Sequence, residues 1–166
     1  MDAERLILAI TGAIVGVLGW LLVGLYINRR EYARRARNAG RAVYFELSAN
    51  QLAVFTALSY GAFGQLSRAT FDRLLPELAT WLPAGELQSV ALAYLGHDGY
   101  EQARTEESLP DDVRRMILGG VNDAQLIALD LLRPRIFSKR EIAELNRYAT
   151  EPQRALVEAA AKEPSA

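Results

Sequence analysis

The chain has 166 residues, 51% of them apolar, a net charge of −1 and no cysteine. Without cysteine, disulfides, thiolate catalysis and Cys-ligated zinc or iron–sulfur sites are excluded. The near-neutral total hides a division: residues 28–41 hold six basic residues and one acid, a local +5, whereas 42–166 hold 12 basic and 17 acidic residues, a local −5. An acidic distal part lacks the basic patch that phosphate neutralisation requires, so no nucleic-acid partner is expected.

Residues 1–5 are expected to be a short extracytoplasmic N-terminus. The next 22 residues, Leu6 to Ile27, carry no charged side chain. As a helix they would extend about 33 Å at 1.5 Å per residue, against a hydrocarbon core about 30 Å thick. A cleavable signal peptide would have a shorter apolar run behind a basic leader, and a soluble core helix would show a polar face. The segment 6–27 therefore reads as an uncleaved transmembrane helix. Arg5 stands on one side of it, against Arg29, Arg30, Arg34, Arg35, Arg37 and Arg41 on the other. Basic residues are retained in the cytoplasm, so the N-terminus is expected outside and the rest inside, as in a single-pass protein of the inner (cytoplasmic) membrane.

The six arginines form a basic juxtamembrane helix, 28–41, that sets topology and can also contact anionic lipid at about 1 kcal/mol per residue. Within the span, Gly12 and Gly16 form a GxxxG pair, extended by Ala9 and Gly19 into a small-residue face. Such a face admits close approach of another helix, either a second copy or a membrane-protein partner.

Between Asn28 and Tyr60 there is no proline and one glycine, Gly40, so the helix is expected to continue into the cytoplasm, with Gly40 its weakest point. Tyr32, Ala36, Ala39, Val43, Leu47, Asn50, Val54 and Ala57 recur at steps of three and four, marking a stripe for a protein core. Asn50 is the polar member of that stripe. Buried there, it needs a partner, and the Tyr94 hydroxyl on a neighbouring helix is a candidate.

Gly61 to Ser67 reads as a loop, followed by a helix from Thr70 to Leu82 that Pro76 is expected to kink or divide. Pro83 and Glu86 open a third helix, with Leu87, Val90, Ala91, Tyr94 and Leu95 as its stripe. Ser108-Leu109-Pro110-Asp111 resembles a capping signal for a fourth helix that should stop before Pro134. Ser138-Lys139-Arg140-Glu141 is a capping box opening a short last helix, and 150–166 reads as a flexible tail. The expectation is an all-α chain: an N-terminal transmembrane helix continuing into a cytoplasmic antiparallel bundle, 42–149, of about four to five helices.

Nothing in the pattern points to catalysis. His97 is the sole histidine; Asp98 beside it projects elsewhere on a helix, and no nucleophile elbow or Glu-x-x-His pair accompanies it. Gly119-Gly120 lacks the strand and lysine of a phosphate loop and reads as close packing or local weakening. No cofactor, metal or enzymatic activity is expected.

The segment Arg41-Ala42-Val43-Tyr44-Phe45-Glu46-Leu47-Ser48-Ala49-Asn50 resembles a diffuse group of uncharacterised bacterial single-pass membrane proteins. Members share an N-terminal anchor, an arginine-rich exit, an aromatic-Glu-Leu-x-x-Asn helix and a Ser-led helix, here Ser67 to Leu82. They carry Trp where this chain has Phe71. The resemblance implies a structural Asn50 and brings no activity with it. Two functions fit: a membrane-tethered, non-enzymatic interaction or scaffold module, or a self-associating, membrane-perturbing effector of phage or defence type. With no polar residue beyond Thr11 to line a pore, the span favours the first.

Overall fold

In the computed structural model the described residues are 3–147, with side chains from residue 16 onward. Every regular element among them is a helix, joined by short non-helical segments, with no strand. Helix α1 is Ala3–Tyr60, α2 Ala69–Trp81, α3 Ala84–Thr105 and α4 Asp111–Ile136. A fifth helix, α5, occupies 139–147 at the end of the described residues. The chain divides into two compact units, residues 1–36 and 37–166.

In the first unit every described side chain from 16 to 35 is exposed. Val17, Leu18, Trp20, Leu21, Leu22, Val23, Leu25, Tyr26 and Ile27 are each at least 47% exposed. Tyr32, placed by periodicity at the head of the core stripe, is exposed as well. Among the described residues no helix is long and apolar enough to cross a membrane. Of the span expected at 6–27, the side chains of 6–15 lie outside the described residues, and so do Ala9 and Gly12.

The second unit is a helical bundle whose core follows the stripe read from sequence. Ala39, Val43, Leu47, Asn50, Val54 and Ala57 are all buried. Val43 and Leu47 pack with Phe71, Leu78, Val90, Ala93, Tyr94, Ala128, Leu132 and Ile136. Val54 and Ala57 pack with Tyr100, Ala103, Leu118 and Val121 in a second apolar cluster. Helix α1 stops at Gly61, whose φ of +69° suits a residue without Cβ, and the Gly61 N–H donates to the Ala57 carbonyl at 2.9 Å.

Several expectations are corrected. Pro76 lies inside an unbroken α2, and α4 runs through Pro134 to Ile136. Each proline removes a bond to the carbonyl four residues earlier, Asp72 or Asp130, and all four residues lie on exposed stretches of their helices, where the loss of a backbone bond costs less than in the core. Ile136, 1% exposed, holds the last turn of α4 in the core. Helix α4 has Pro110 at its N-cap and no side-chain cap, so Ser108 does not play that part, although Asp111 and Asp112 occupy the first turn as expected. The Ser138 box forms: the Ser138 N–H donates to Glu141 Oε2 at 2.7 Å, and the Glu141 N–H donates to Ser138 Oγ at 3.3 Å.

Glycines also take roles other than those anticipated. Helix α1 continues through Gly40, which also permits contact: a Cβ there would meet Ile136 Cγ2 at 2.6 Å and Trp81 Cζ3 at 3.1 Å. Gly96 and Gly99 of α3 likewise face Val121 and Ile117 of α4, with a Cβ meeting them at 3.2 Å. Gly119 and Gly120 have nothing within 4 Å, so they are not packing glycines.

Candidate functional site

Beside the first apolar cluster and before the second, α1 presents a pair of polar side chains one turn apart, Glu46 and Asn50. Spacing of four residues puts both on one helical face, and that face meets the start of α2 and the middle of α3. Glu46 Oε2 accepts from Ser67 Oγ and the Thr70 N–H, both at 2.8 Å. Its Oε1 accepts from the Phe71 N–H at 3.1 Å and the Tyr94 hydroxyl at 3.0 Å. A carboxylate has about four acceptor positions, and four donors fill them.

The arrangement explains how α2 begins. Arg68 at its N-cap makes no side-chain capping bond, and α2 instead takes a carboxylate from α1 onto its first free N–H groups. Burial alone would raise the Glu46 carboxyl, but the hydrogen bonds from Thr70, Ser67 and Phe71 outweigh it and hold the group below the usual carboxylate range. Tyr94, 1% exposed and stacked on Phe71 at 4.3 Å between ring centroids, is pushed the other way. Burial, and then the neighbouring Glu46 charge, raise its phenol well above its usual value. It remains a neutral donor.

Asn50 completes the clasp. Its Nδ2 donates to the Ser67 carbonyl at 2.7 Å and its Oδ1 accepts the Ser67 N–H at 2.8 Å, so one amide closes a two-bond bridge to one loop residue. Nδ2 also lies 3.4 Å from His97 Nε2. With Asn50 donating, His97 accepts at Nε2 and carries its proton at Nδ1. The intradomain partner anticipated for Asn50 thus exists, but it is the Ser67 backbone with His97; the Tyr94 hydroxyl serves Glu46. Burial, and then the Arg68 charge, keep His97 below its ordinary value.

This has a measurable consequence. A folded-state value below the unfolded one gives stability that is complete above the ordinary histidine pKa, about 6.5, and is lost as pH falls through the folded value. The melting temperature should fall between pH 7 and pH 5, and the fall should be smaller in His97→Gln, as followed by circular dichroism at 222 nm.

Further polar residues lie near this level of the bundle. Gln51 Nε2 donates to Asn122 Oδ1 at 3.1 Å, tying α1 to α4. Gln125 of α4 is completely buried, and neither amide atom has a partner. Chemically the site holds loops and helix starts in place: its carboxylate is saturated, its phenol neutral, and Ser67 Oγ is engaged with Glu46 rather than with a base. A groove of about 370 Å³ beside it is lined by Phe71, Leu75, Leu87, Ala91 and Leu95, with Arg68 its only charged residue. It offers no acid–base pair. Among the described residues no group of His, Asp or Glu is arranged to hold a metal ion.

The other sequence-derived site residues are not members of this cluster. Arg29, Arg30, Arg34, Arg35 and Arg37 are exposed. Arg35 lies 3.7 Å from Glu31, and Arg30 stands over the Tyr26 ring at 5.2 Å. Arg41, grouped with them by sequence, is half-buried in the bundle. Its Nε donates to the Ile136 carbonyl at 3.2 Å, its guanidinium pairs with Glu141 at 2.5 Å, and it packs over Phe137. Gly16 and Gly19 have nothing within 4 Å of a notional Cβ. Glu46, the most connected side chain of the site, was legible only as an acid four residues before Asn50; its helix-capping role needs partners 24 and 25 residues away.

Comparison with protein-family models, with curated proteins and with solved structures gives no match.

Proposed function

We propose that the chain is a single-pass, membrane-tethered helical protein of the cytoplasmic membrane, and that its acidic bundle is a non-enzymatic interaction module at the inner surface. The observation that carries this reading is the exposed apolar run from Val17 to Ile27, followed at once by five exposed arginines. Contiguous apolar surface on this scale marks a membrane or protein contact, and the basic flank selects the membrane. Residues 16–27 alone would extend about 18 Å, and the ten uncharged residues before them in sequence bring the length to that of a bilayer core. Membrane-surface contact belongs to Arg29, Arg30, Arg34, Arg35 and Arg37, since Arg41 is engaged by Glu141 and Ile136.

The non-enzymatic part rests on the saturation of Glu46 and the structural engagement of His97. Membranes carrying the full chain with a C-terminal tag should retain it through alkaline carbonate and release it in detergent, and the tag should resist protease in intact spheroplasts. Release by carbonate, or digestion of the tag, would overturn the tethered reading. A measurable turnover that His97→Ala abolishes while the bundle stays folded would overturn the non-enzymatic one.

A further inference from the structure

Three helices change from apolar to polar at the same step of their inward stripes. On α1 Asn50 stands between Leu47 and Val54, on α3 the half-buried His97 stands between Tyr94 and Tyr100, and on α4 Gln125 stands between Val121 and Ala128. Leu47, Tyr94 and Ala128 belong to the first apolar cluster, and Val54, Tyr100 and Val121 to the second. Asn50 is satisfied there by Ser67 and His97. Gln125 is 0% exposed, and neither its Nε2 nor its Oε1 has a protein partner. An unpaired buried amide raises the free energy of the closed bundle, and the strain is relieved when α4 moves off its neighbours and water reaches the amide.

The end of the bundle beyond this polar level is the weaker one. Among the described residues its cluster has six buried members against eleven in the other, so less apolar surface holds it shut. A groove of about 280 Å³ lies between the end of α1 and the start of α4, lined by Ala57, Leu58, Phe63, Arg114 and Leu118, so packing there is incomplete. Gly119 and Gly120 have nothing within 4 Å and therefore weaken α4 without gaining a contact. Within the α3–α4 hairpin, by contrast, Gly96 and Gly99 admit Val121 and Ile117 closely, which keeps the two helices together.

We infer that the bundle opens in two parts: the tip of the α3–α4 hairpin, residues 99–121, parts from the end of α1 as one unit while the first cluster stays packed, and Gln125 sets how readily it does so. Opening breaks the bond that the Tyr100 hydroxyl donates to the Gly64 carbonyl at 3.0 Å. It exposes Val54, Ala57 and Leu118 and gives the Gln125 amide to water. Openings of this kind, below the free energy of global unfolding, follow supersecondary units such as a helical hairpin. The device uses the second unit alone and stands with or without the membrane tether.

The absence of cysteine makes the test direct. Ala93 and Ala103 lie on α3 on opposite sides of the polar level and are 0% and 1% exposed. Each is replaced singly, Ala93→Cys or Ala103→Cys, in the full chain in detergent, and labelling by iodoacetamide is timed while circular dichroism confirms the fold. Position 103 should label about tenfold faster or more, with a weaker urea dependence, because its opening exposes less surface. Adding Gln125→Met, which keeps an unbranched side chain and removes the amide, should slow labelling at 103 by about fivefold or more and leave 93 within about twofold.

Equal labelling at the two positions with equal urea dependence would show one cooperative unit and overturn the proposal. Labelling at 103 that Gln125→Met leaves unchanged or speeds would overturn it as well. Hydrogen exchange of the unaltered chain decides without any substitution: amides of 100–104 and 112–118 should exchange ahead of those of 90–94 and 128–132, and exchange of both sets together would overturn it.

Discussion

Replacing Glu46 by alanine should destabilise the bundle by about 3 to 5 kcal/mol, because it strands several buried or half-buried donors together. The Tyr94 hydroxyl belongs to a residue 1% exposed, and the Thr70 and Phe71 N–H groups are at the first turn of α2 with no side-chain cap of their own. Each stranded donor costs about 1 to 3 kcal/mol, reduced where water can reach it. For a domain stable by about 5 to 15 kcal/mol the change is large. Glu46→Gln keeps one acceptor oxygen but turns an NH2 group toward donors, so its loss should lie between wild type and Glu46→Ala. Urea unfolding of the full chain in detergent, followed by circular dichroism, would measure both. A Glu46→Ala loss under 1 kcal/mol would show that the clasp is not what starts α2.

Glu46 should also shape the acid limb of stability. Its folded-state value lies below the unfolded one, so its contribution is present above the ordinary carboxylate range and is lost as pH falls through the folded value. His97 acts in the same direction but begins nearer neutrality.

The second large effect is expected at Gly40. Alanine would gain about 1 kcal/mol of helix propensity, yet its Cβ would sit 2.6 Å from Ile136 Cγ2, a branched methyl on a side chain 1% exposed. Neither atom has room to move, and overpacking of this kind costs about 1 to 3 kcal/mol, more for a larger residue. Gly40→Ala should therefore be net destabilising and Gly40→Val severely so. Ile136→Ala, which opens a cavity and costs about 2 to 5 kcal/mol alone, should be partly rescued by Gly40→Ala. The double variant should be more stable than the two single losses predict. Strict additivity, or a stabilising Gly40→Ala, would contradict the packing.

These two positions show where reading the chain succeeds and where it stops. The run of apolar residues at steps of three and four from Ala39 to Ala57 identified the buried face of α1, Asn50 included, because helical periodicity is a property of neighbours in sequence. The Ser138 capping box formed for the same reason, its two bonds spanning three residues. Proline rules over-predicted breaks at Pro76 and Pro134, since they do not include the lower cost of a lost backbone bond on an exposed stretch or the burial of Ile136 that holds the last turn.

What the sequence determined by itself is the all-helical character, the helix order, the core stripe and the basic collar behind an uncharged run, all set by local composition and period. Only the tertiary structure decided that Arg41 leaves the collar for Glu141, that Gly40 is a point of contact with Ile136, and that Glu46 caps a helix it does not belong to. Each of those depends on residues 24 to 100 positions apart being brought within a few ångströms. Periodicity tells which face of a helix is buried, but the identity of the partner across that face is settled only when the helices pack.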